Sequence, residues 1–386
     1  MTLRTPPGRQ VSLATIAAEW ARIGITGFGG PPAHITLLRR LCVEQRGWLS
    51  PEEFEDGIAA TSLLPGPAST QLAIYCAWRL RGAWGALLGG LGFILPGFLV
   101  IMGLSAVFLA ARPPRLVEGA AAGAGSAVPA VAIHAAGTLL PASRRRAGRS
   151  GRVRWVGYLA AGAVAGALVG PWLVAVLAAC GLAEVLLTMD RRPHQGFLVL
   201  PLAAGPGTGG LLALAWVAFK VGALSYGGGF VIIPLMQHDA VVAYRWMTDS
   251  QFLGAVALGQ LTPGPVVLTV AVVGYAAAGM PGAALAAALS FAPSFGFVLL
   301  GAPRFRQLRR NTTIHAFLAG AGPAAIGAIA GAAIPLGLAL NHLWQAGVLA
   351  LASVWLLPAR RSVVSGLAGA AVLGAVGALA GLPISR

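Results

Sequence analysis

The same stretch of sequence occurs twice in this chain. Setting residue n against residue n+198, without gaps, gives thirteen identities over the 46 positions from Arg22 to Pro67. They include Gly24/Gly222, Gly29/Gly227, Gly30/Gly228, Trp48/Trp246, Phe54/Phe252 and the triplet Pro65-Gly66-Pro67 against Pro263-Gly264-Pro265. After a one-residue shift the match continues through Gly82/Gly279, Gly85/Gly282, Pro96/Pro293, Phe98/Phe295 and Gly123/Gly320. Isolated agreement is expected between Gly/Ala-rich sequences, but not a Pro-Gly-Pro triplet, a tryptophan and a glycine pair in one frame. The fold must therefore be built from two copies of one unit.

Composition says what that unit is made of. Of 386 residues, 57% are hydrophobic and 10% charged, whereas a soluble domain carries about a quarter charged residues. Apolar runs such as Ala83–Ala110, Val156–Thr188, Val266–Ala302 and Ser362–Ile384 exceed the roughly 20 residues that a crossing helix needs. We therefore expect an all-α polytopic membrane protein with about 10–12 transmembrane segments. The segments fall near 11–38, 56–79, 83–110, 116–141 and 155–188 in the first half, and near 211–236, 252–278, 281–302, 314–340 and 342–384 in the second. The last segment of each half is long enough to be two short helices. The first repeat covers residues 11–189, a linker 190–210 and the second repeat 211–386.

The net charge of +16 does not imply nucleic acid. The cations sit in short clusters between apolar segments, as positively charged cytoplasmic loops do. The N-terminal region has no clean apolar core, so no cleavable signal peptide is expected. Cys42, Cys76 and Cys180 have no metal-ligand spacing. The loop after the fourth segment carries six arginines in the first half (Arg144, Arg145, Arg146, Arg149, Arg152, Arg154), and its counterpart near Asn341 carries none. The loop after the third segment reverses this, with Arg112 and Arg115 against Arg304, Arg306, Arg309 and Arg310. Opposite bias in homologous loops predicts an inverted repeat.

Each repeat holds a cation in its first apolar segment, Arg22 and Lys220. A charge at membrane depth costs at least roughly 2.5–3.5 kcal/mol and usually faces a polar cavity; snorkelling, or pairing with a neighbour such as Glu19, is the structural alternative. Just downstream come polar, glycine-rich breaks, with Thr26, Gly29 and Gly30 in one half and Ser225, Tyr226, Gly227 and Gly228 in the other. Such runs cannot sustain a helix, and broken backbone at depth must be buried in protein or line a cavity. Freed amides and half-helix ends bind anions, although small residues also serve close helix packing. A second break holds Ser62, Pro65 and Gly66, matched by Gln260, Thr262, Pro263 and Gly264. Proline starts a helix well, so each triplet is expected to begin a half-helix aimed at the same cavity. Ser69 and Thr70 offer further neutral donors, although such a hydroxyl is commonly satisfied by its own helix. Glu118 (matched by His315) and Glu184 are the candidate proton carriers, although both also read as helix-end residues. His34, His134 and His238 read as structural, and Asp239 and Asp249 as solvated loop residues. No catalytic constellation, metal set or phosphate loop is visible, so neither an enzyme nor an ATP-driven pump is expected, and no cofactor.

Four runs, Phe28–Ile35, Leu63–Thr70, Phe219–Met236 and Leu261–Pro265, resemble the chromate ion transporter family in its two-domain form. The resemblance covers nearly the whole chain. It implies chromate efflux across the bacterial inner membrane, conferring resistance and energised by the proton motive force. The implied partners are chromate (sulfate, also a tetrahedral dianion, being the alternative), protons and the lipid bilayer, with a homodimer as a possible assembly. A dianion leaving an inside-negative cell gains roughly 4–5 kcal/mol per 100 mV, so export needs no co-transported proton. A passive anion channel is the competing class.

Overall fold

The computed structural model describes residues 11–147, 151–169, 172–188, 210–225, 230–302, 305–308 and 311–384. Among them there is helix and no strand. Of the expected linker 190–210, only Gly210 lies within the described residues.

The first half opens with α1 (Leu13–Thr26), whose amides are capped by the Ser12 hydroxyl, and breaks before α2 (Pro31–Arg39). A π-helical stretch, Arg40–Gln45, extends α2. Next comes α3 (Pro51–Thr61), started by a reciprocal Ser50–Glu53 capping box. A second break leads into α4 (Ala68–Phe108). The helices α5 (Arg115–Ser126) and α6 (Val128–Ala147) run on almost continuously. The expected long fifth segment is divided into α7 (Arg152–Val164) and α8 (Leu173–Thr188).

The second half repeats this order with α9 (Leu211–Leu224), α10 (Ile232–Gln237) with its π-helical extension His238–Ala243, and α11 (Asp249–Leu261) behind a Thr248–Gln251 capping box. Then follow α12 (Thr269–Gly301), the short α13 (Phe305–Leu308), α14 (Thr312–Leu338) and the pair α15 (Leu343–Leu356) and α16 (Val363–Leu379). The duplication extends to fine detail. The π-helical stretches and the capping boxes coincide at the 198-residue offset. Both long helices also turn at equivalent points, Arg81–Gly82 and Ala278–Gly279, where the glycine takes φ +58° and φ +62° respectively. That left-handed backbone is costly for any side chain with a Cβ.

The turn at Gly82 divides α4 into two functional lengths. Its first part lies against α3: Leu72 and Tyr75 pack on Gly57, and Arg79 pairs with Glu53 at the start of α3. Its second part runs parallel to α1, with Gly89 against Ile16 and Gly24 against Phe93, and Arg81 donates to the Val11 carbonyl beside the start of α1. The α1/α2 and α3/α4 pairs are therefore half-length hairpins entering from one end. At 14 residues, α1 is about 21 Å long, short of the roughly 30 Å hydrocarbon core. Among the described residues, four spans are long and apolar enough to cross: Ala68–Phe108, Arg115–Ala147, Val266–Gly301 and Thr312–Leu338.

The halves exchange their terminal pairs. The helices α7 and α8 pack on α14 of the second half, and α15 and α16 pack on α6 and α5 of the first. The contacts are made at small residues, Gly162 on Ala324, Gly320 on Cys180, Gly123 on Ala370 and Gly374 on Gly119, which allow close backbone approach. The C-terminal end of α6 (Arg146) lies at the same cavity mouth as the N-terminal end of α14 (His315), whereas Glu118, the counterpart of His315, is grouped with Ser250, Gln251 and Ile384.

Candidate functional site

The first break of the first half and the Pro-Gly-Pro breaks of both halves meet at one crossing between the halves. Glycines at φ +97° (Gly29) and +73° (Gly30) end the first break, and Pro31 and Pro32 then open α2. In the second break Gly66 takes φ +114°, and its counterpart Gly264 takes φ +92°. Each of these glycines lies against the other half: Gly66 faces the Gly222 carbonyl and Gly264 the Gly24 carbonyl. Pro67 serves as the N-cap of α4 rather than as its first helical residue, so the half-helix expected after the triplet begins one position later, at Ala68.

A hydrogen-bonded knot joins the halves there. The Gly27 carbonyl accepts from the Gly264 amide at 3.1 Å and from His34 Nε2 at 3.0 Å. Because that carbonyl can only accept, Nε2 carries the proton and Nδ1 accepts the Ser69 hydroxyl at 3.2 Å. His34 is fully buried, with Phe93 edge-on at 4.9 Å. Its structural part was expected. Its place at the junction of two breaks was not readable, because Ser69 is 35 residues away and Gly264 belongs to the other half.

Beside this knot lies a cavity of about 640 Å³. It is lined by both halves, with Pro31 and Pro32 at the start of α2, Ser62, Leu63, Leu64 and Gly66 before α4, Ala68 at its start, and Phe230 and Val231 before α10. The C-terminal turns of α6 and the first half of α14 form its walls, and Arg146 and His315 stand at its mouth. Two helix N-termini, of α2 and α4, thus direct their positive ends at a space entered past a guanidinium and an imidazole. The prolines remove two donors from α2, and the Thr70 and Gln71 amides of α4 already bond the Pro67 carbonyl, so both helix ends act chiefly through their dipoles.

The expected site residues divide sharply. Ser62 and Gly66 line the cavity, and Gly29 and Gly30 adjoin it through Pro31. The Ser62 hydroxyl donates to the Ile58 carbonyl, Thr26 to Arg22 and Ser225 to Val221, as side chains on helix ends do. Pro65 accepts from Gln71 Nε2 at 2.6 Å. Pro263 and Gly264 sit at the crossing, the Pro263 carbonyl against Gly97. Gln260 and Thr262 are buried. Tyr226, Gly227 and Gly228 lie outside the described residues. Neither intramembrane cation lines the cavity. Arg22 is 60% exposed at its side chain and pairs at 2.8 Å with Glu19, which also takes Arg46 at 2.6 Å. Lys220 is buried and pairs with Asp239 on the π-helical stretch across the second-half break. Asp239 is therefore not the solvated loop residue its position suggested. The extra residue in that π-helical turn points its carboxylate inward, where Lys220 neutralises it.

Of the two candidate proton carriers, Glu184 is buried, held by two bonds from Arg154 at 2.9 and 3.1 Å and one from the Tyr158 hydroxyl at 3.0 Å. Glu118 lines a smaller pocket of about 330 Å³ at the opposite end of the molecule. Four polar atoms around the breaks are buried without a hydrogen-bond partner: Thr70 Oγ1, Gln71 Oε1, Gln260 Nε2 and Ser294 Oγ. Ser294 had no signal in the sequence, since its counterpart is Gly97.

Comparison with known proteins matches this architecture. The sequence model of the chromate transporter family matches twice, over residues 14–185 and again over 212–382. The chromate transport protein of Cupriavidus metallidurans is 34% identical over 381 residues, covering 95% of this chain and 93% of that one. The probable chromate transport protein of Synechococcus elongatus is 32% identical over 362 residues, covering 90% and 91% of the two chains. The chromate transport protein of Pseudomonas aeruginosa is 31% identical over 358 residues, covering 87% and 83%. No solved structure matches the chain at a significant level. A helical membrane protein of two repeats whose breaks enclose a positively edged cavity, matched by that family in each repeat, belongs to the chromate transporter family.

Proposed function

We propose that this chain carries chromate out of the cell across the bacterial inner membrane by alternating access, with the two repeats inserted upside down to each other. The observation that carries the reading is the cavity lined from both halves beside the first-half breaks, with Arg146 and His315 at its exposed edge. That end of the molecule also bears Arg144, Arg145, Arg152 and Arg154, which by the loop-charge rule lies in the cytoplasm. A cytoplasmic oxyanion meets the Arg146 guanidinium at the entrance and the helix ends of α2 and α4 inside. The counterpart of His315 at the far end is an acid, Glu118, which repels re-entry. Opposed repeats supply the second state, because exchanging their conformations closes the Arg146 end and opens the Glu118 end around the same crossing. The membrane potential drives the dianion outward, and an exchanged proton adds to that drive.

Inverted membrane vesicles test this reading. Chromate uptake should saturate, rise with an inside-positive potential and respond to an imposed pH gradient. Arg146→Glu should raise the half-saturating concentration about tenfold, as expected for losing a charge-assisted contact. Non-saturating flux that is indifferent to the pH gradient would establish a passive pore instead.

A further inference from the structure

The C-terminal turns of α6 carry two different faces. Leu139, Ala142, Ser143 and Arg146, at helical spacing, line the cavity described above. Leu140, Pro141, Arg144 and Arg145 face another way and, with Arg152, Trp155 and Val156 of α7, line an open groove of about 670 Å³. The arginines at this end of the molecule are used unequally. Arg154 is held by Glu184, and Arg146 belongs to the cavity. Arg144, Arg145 and Arg152 are exposed and form no ion pair among the described residues, and no acid is among the residues lining the groove. Three guanidiniums thus converge on one space with nothing to neutralise them.

The groove is also graded in polarity. The span Arg115–Ala147 is long and apolar enough to cross a membrane, so the arginines at its end stand at headgroup level. Leu140 lies one turn before Arg144 on α6, and Val156 one turn after Arg152 on α7. The two helices are folded back on each other, since the Trp155 indole nitrogen donates to the Ser143 hydroxyl at 2.9 Å. Both steps from arginine to aliphatic side chain therefore lead the same way, about 6 Å into the bilayer at 1.5 Å per residue. Trp155 stands between them, at the interfacial depth that tryptophan favours.

We propose that this groove seats an anionic phospholipid. Its phosphate is held by Arg144, Arg145 and Arg152, and its acyl chains leave past Leu140, Pro141 and Val156. Guanidinium forks take phosphate oxygens in pairs, and basic pockets between membrane helices suit anionic headgroups. A free oxyanion would use the arginines and leave the apolar half of the groove bare, whereas a lipid fills both. A zwitterionic lipid carries the same phosphate together with a quaternary ammonium, which three guanidiniums repel.

The test is native mass spectrometry of the full chain released from micelles containing equal amounts of dioleoyl phosphatidylglycerol and dioleoyl phosphatidylcholine. The wild type should retain the anionic lipid over the zwitterionic one by about tenfold or more, three arginines near a membrane surface being ample for that. Replacing Arg144→Gln, Arg145→Gln and Arg152→Gln together should remove the preference. Replacing Arg144→Lys, Arg145→Lys and Arg152→Lys keeps the loop charge that sets orientation but loses the paired hydrogen bonds, so its preference should fall between the two. If the glutamine variant does not fold, the lysine variant decides. Equal retention of the two lipids by the wild type, or a wild-type preference in either variant, would overturn the proposal and leave an ordinary basic loop. Displacement of the retained lipid by inorganic phosphate or chromate would overturn it in favour of a free-oxyanion site, whereas retention in their presence supports the lipid.

Discussion

Lys220→Ala separates a structural ion pair from a substrate contact. Lys220 and Asp239 have side chains only 10% and 12% exposed, and they bridge α9 to the stretch beyond the second-half break. Truncating the lysine leaves a carboxylate in low dielectric without its cation, which costs about 3–5 kcal/mol. That is a large share of the 5–15 kcal/mol that typically separates folded from unfolded protein. Removing both charges, in Lys220→Ala with Asp239→Ala, costs much less, because no lone charge remains. Arg22→Ala is the internal control. Its side chain is 60% exposed and Glu19 keeps Arg46, so the loss should stay below about 1 kcal/mol. Thermal aggregation of detergent-solubilised protein, read as the fraction remaining monodisperse, measures all four variants. The order expected is wild type, Arg22→Ala and the double variant close together, with Lys220→Ala and Asp239→Ala far below. Lys220→Ala as stable as wild type would refute the buried-pair reasoning. Chromate uptake surviving in the double variant would show that the lysine acts on the fold and not on the anion.

Three further outcomes follow from the duplicated geometry. Gly82→Ala and Gly279→Ala should each destabilise by about 1–2 kcal/mol in the same assay, because both sit at left-handed φ where a Cβ is strained; a loss in one half alone would contradict the equivalence of the two turns. Ser50→Ala and Thr248→Ala should each cost about 1 kcal/mol by opening a capping box. Gly66→Ala should abolish uptake, since its Cβ meets Gln71 at 2.6 Å and its φ is +114°; vesicles with wild-type uptake would show that the break has room to move.

The membrane class, the two repeats and the position of the breaks were legible because each rests on local chemistry. Twenty apolar residues, a Pro-Gly-Pro triplet and a recurring tryptophan mean the same thing wherever they fall. Partnerships were not legible. Asp239 looks like a loop acid because it follows His238 and precedes an ordinary apolar stretch. In the fold it sits on a π-helical turn, buried, and pairs with Lys220. Arg22 and Lys220 align in sequence, yet Arg22 meets Glu19 one turn earlier while the position equivalent to Glu19 is Val217. Equivalent residues therefore found different partners, and neither Arg22 nor Lys220 lines the cavity that Arg146 and His315 line. Ser294 could not be found at all from repeat matching, since divergence from Gly97 hides it.

That divergence bears on how such a protein moves an ion in one direction. Two identical opposed repeats would give inward- and outward-open states of equal energy, with the same seat presented to both sides. Here one junction has Gly66 flanked by a glutamine and a serine, and the other has Gly264 beside Gly97 and a self-satisfied Thr269. The first junction leaves Thr70 Oγ1, Gln71 Oε1 and Ser294 Oγ unpartnered, the second Gln260 Nε2. The two junctions therefore differ in what they offer an ion, and under the proposed export its release at the Glu118 end meets an acid rather than the Arg146 guanidinium, which biases the exchange. Restoring symmetry should weaken that bias. With Ser294→Gly, which copies Gly97, the junctions become more alike, and chromate flux measured from the two sides of an oriented vesicle should approach equality at zero potential. A side-to-side ratio unchanged from wild type would place the directional bias at the charged mouths alone.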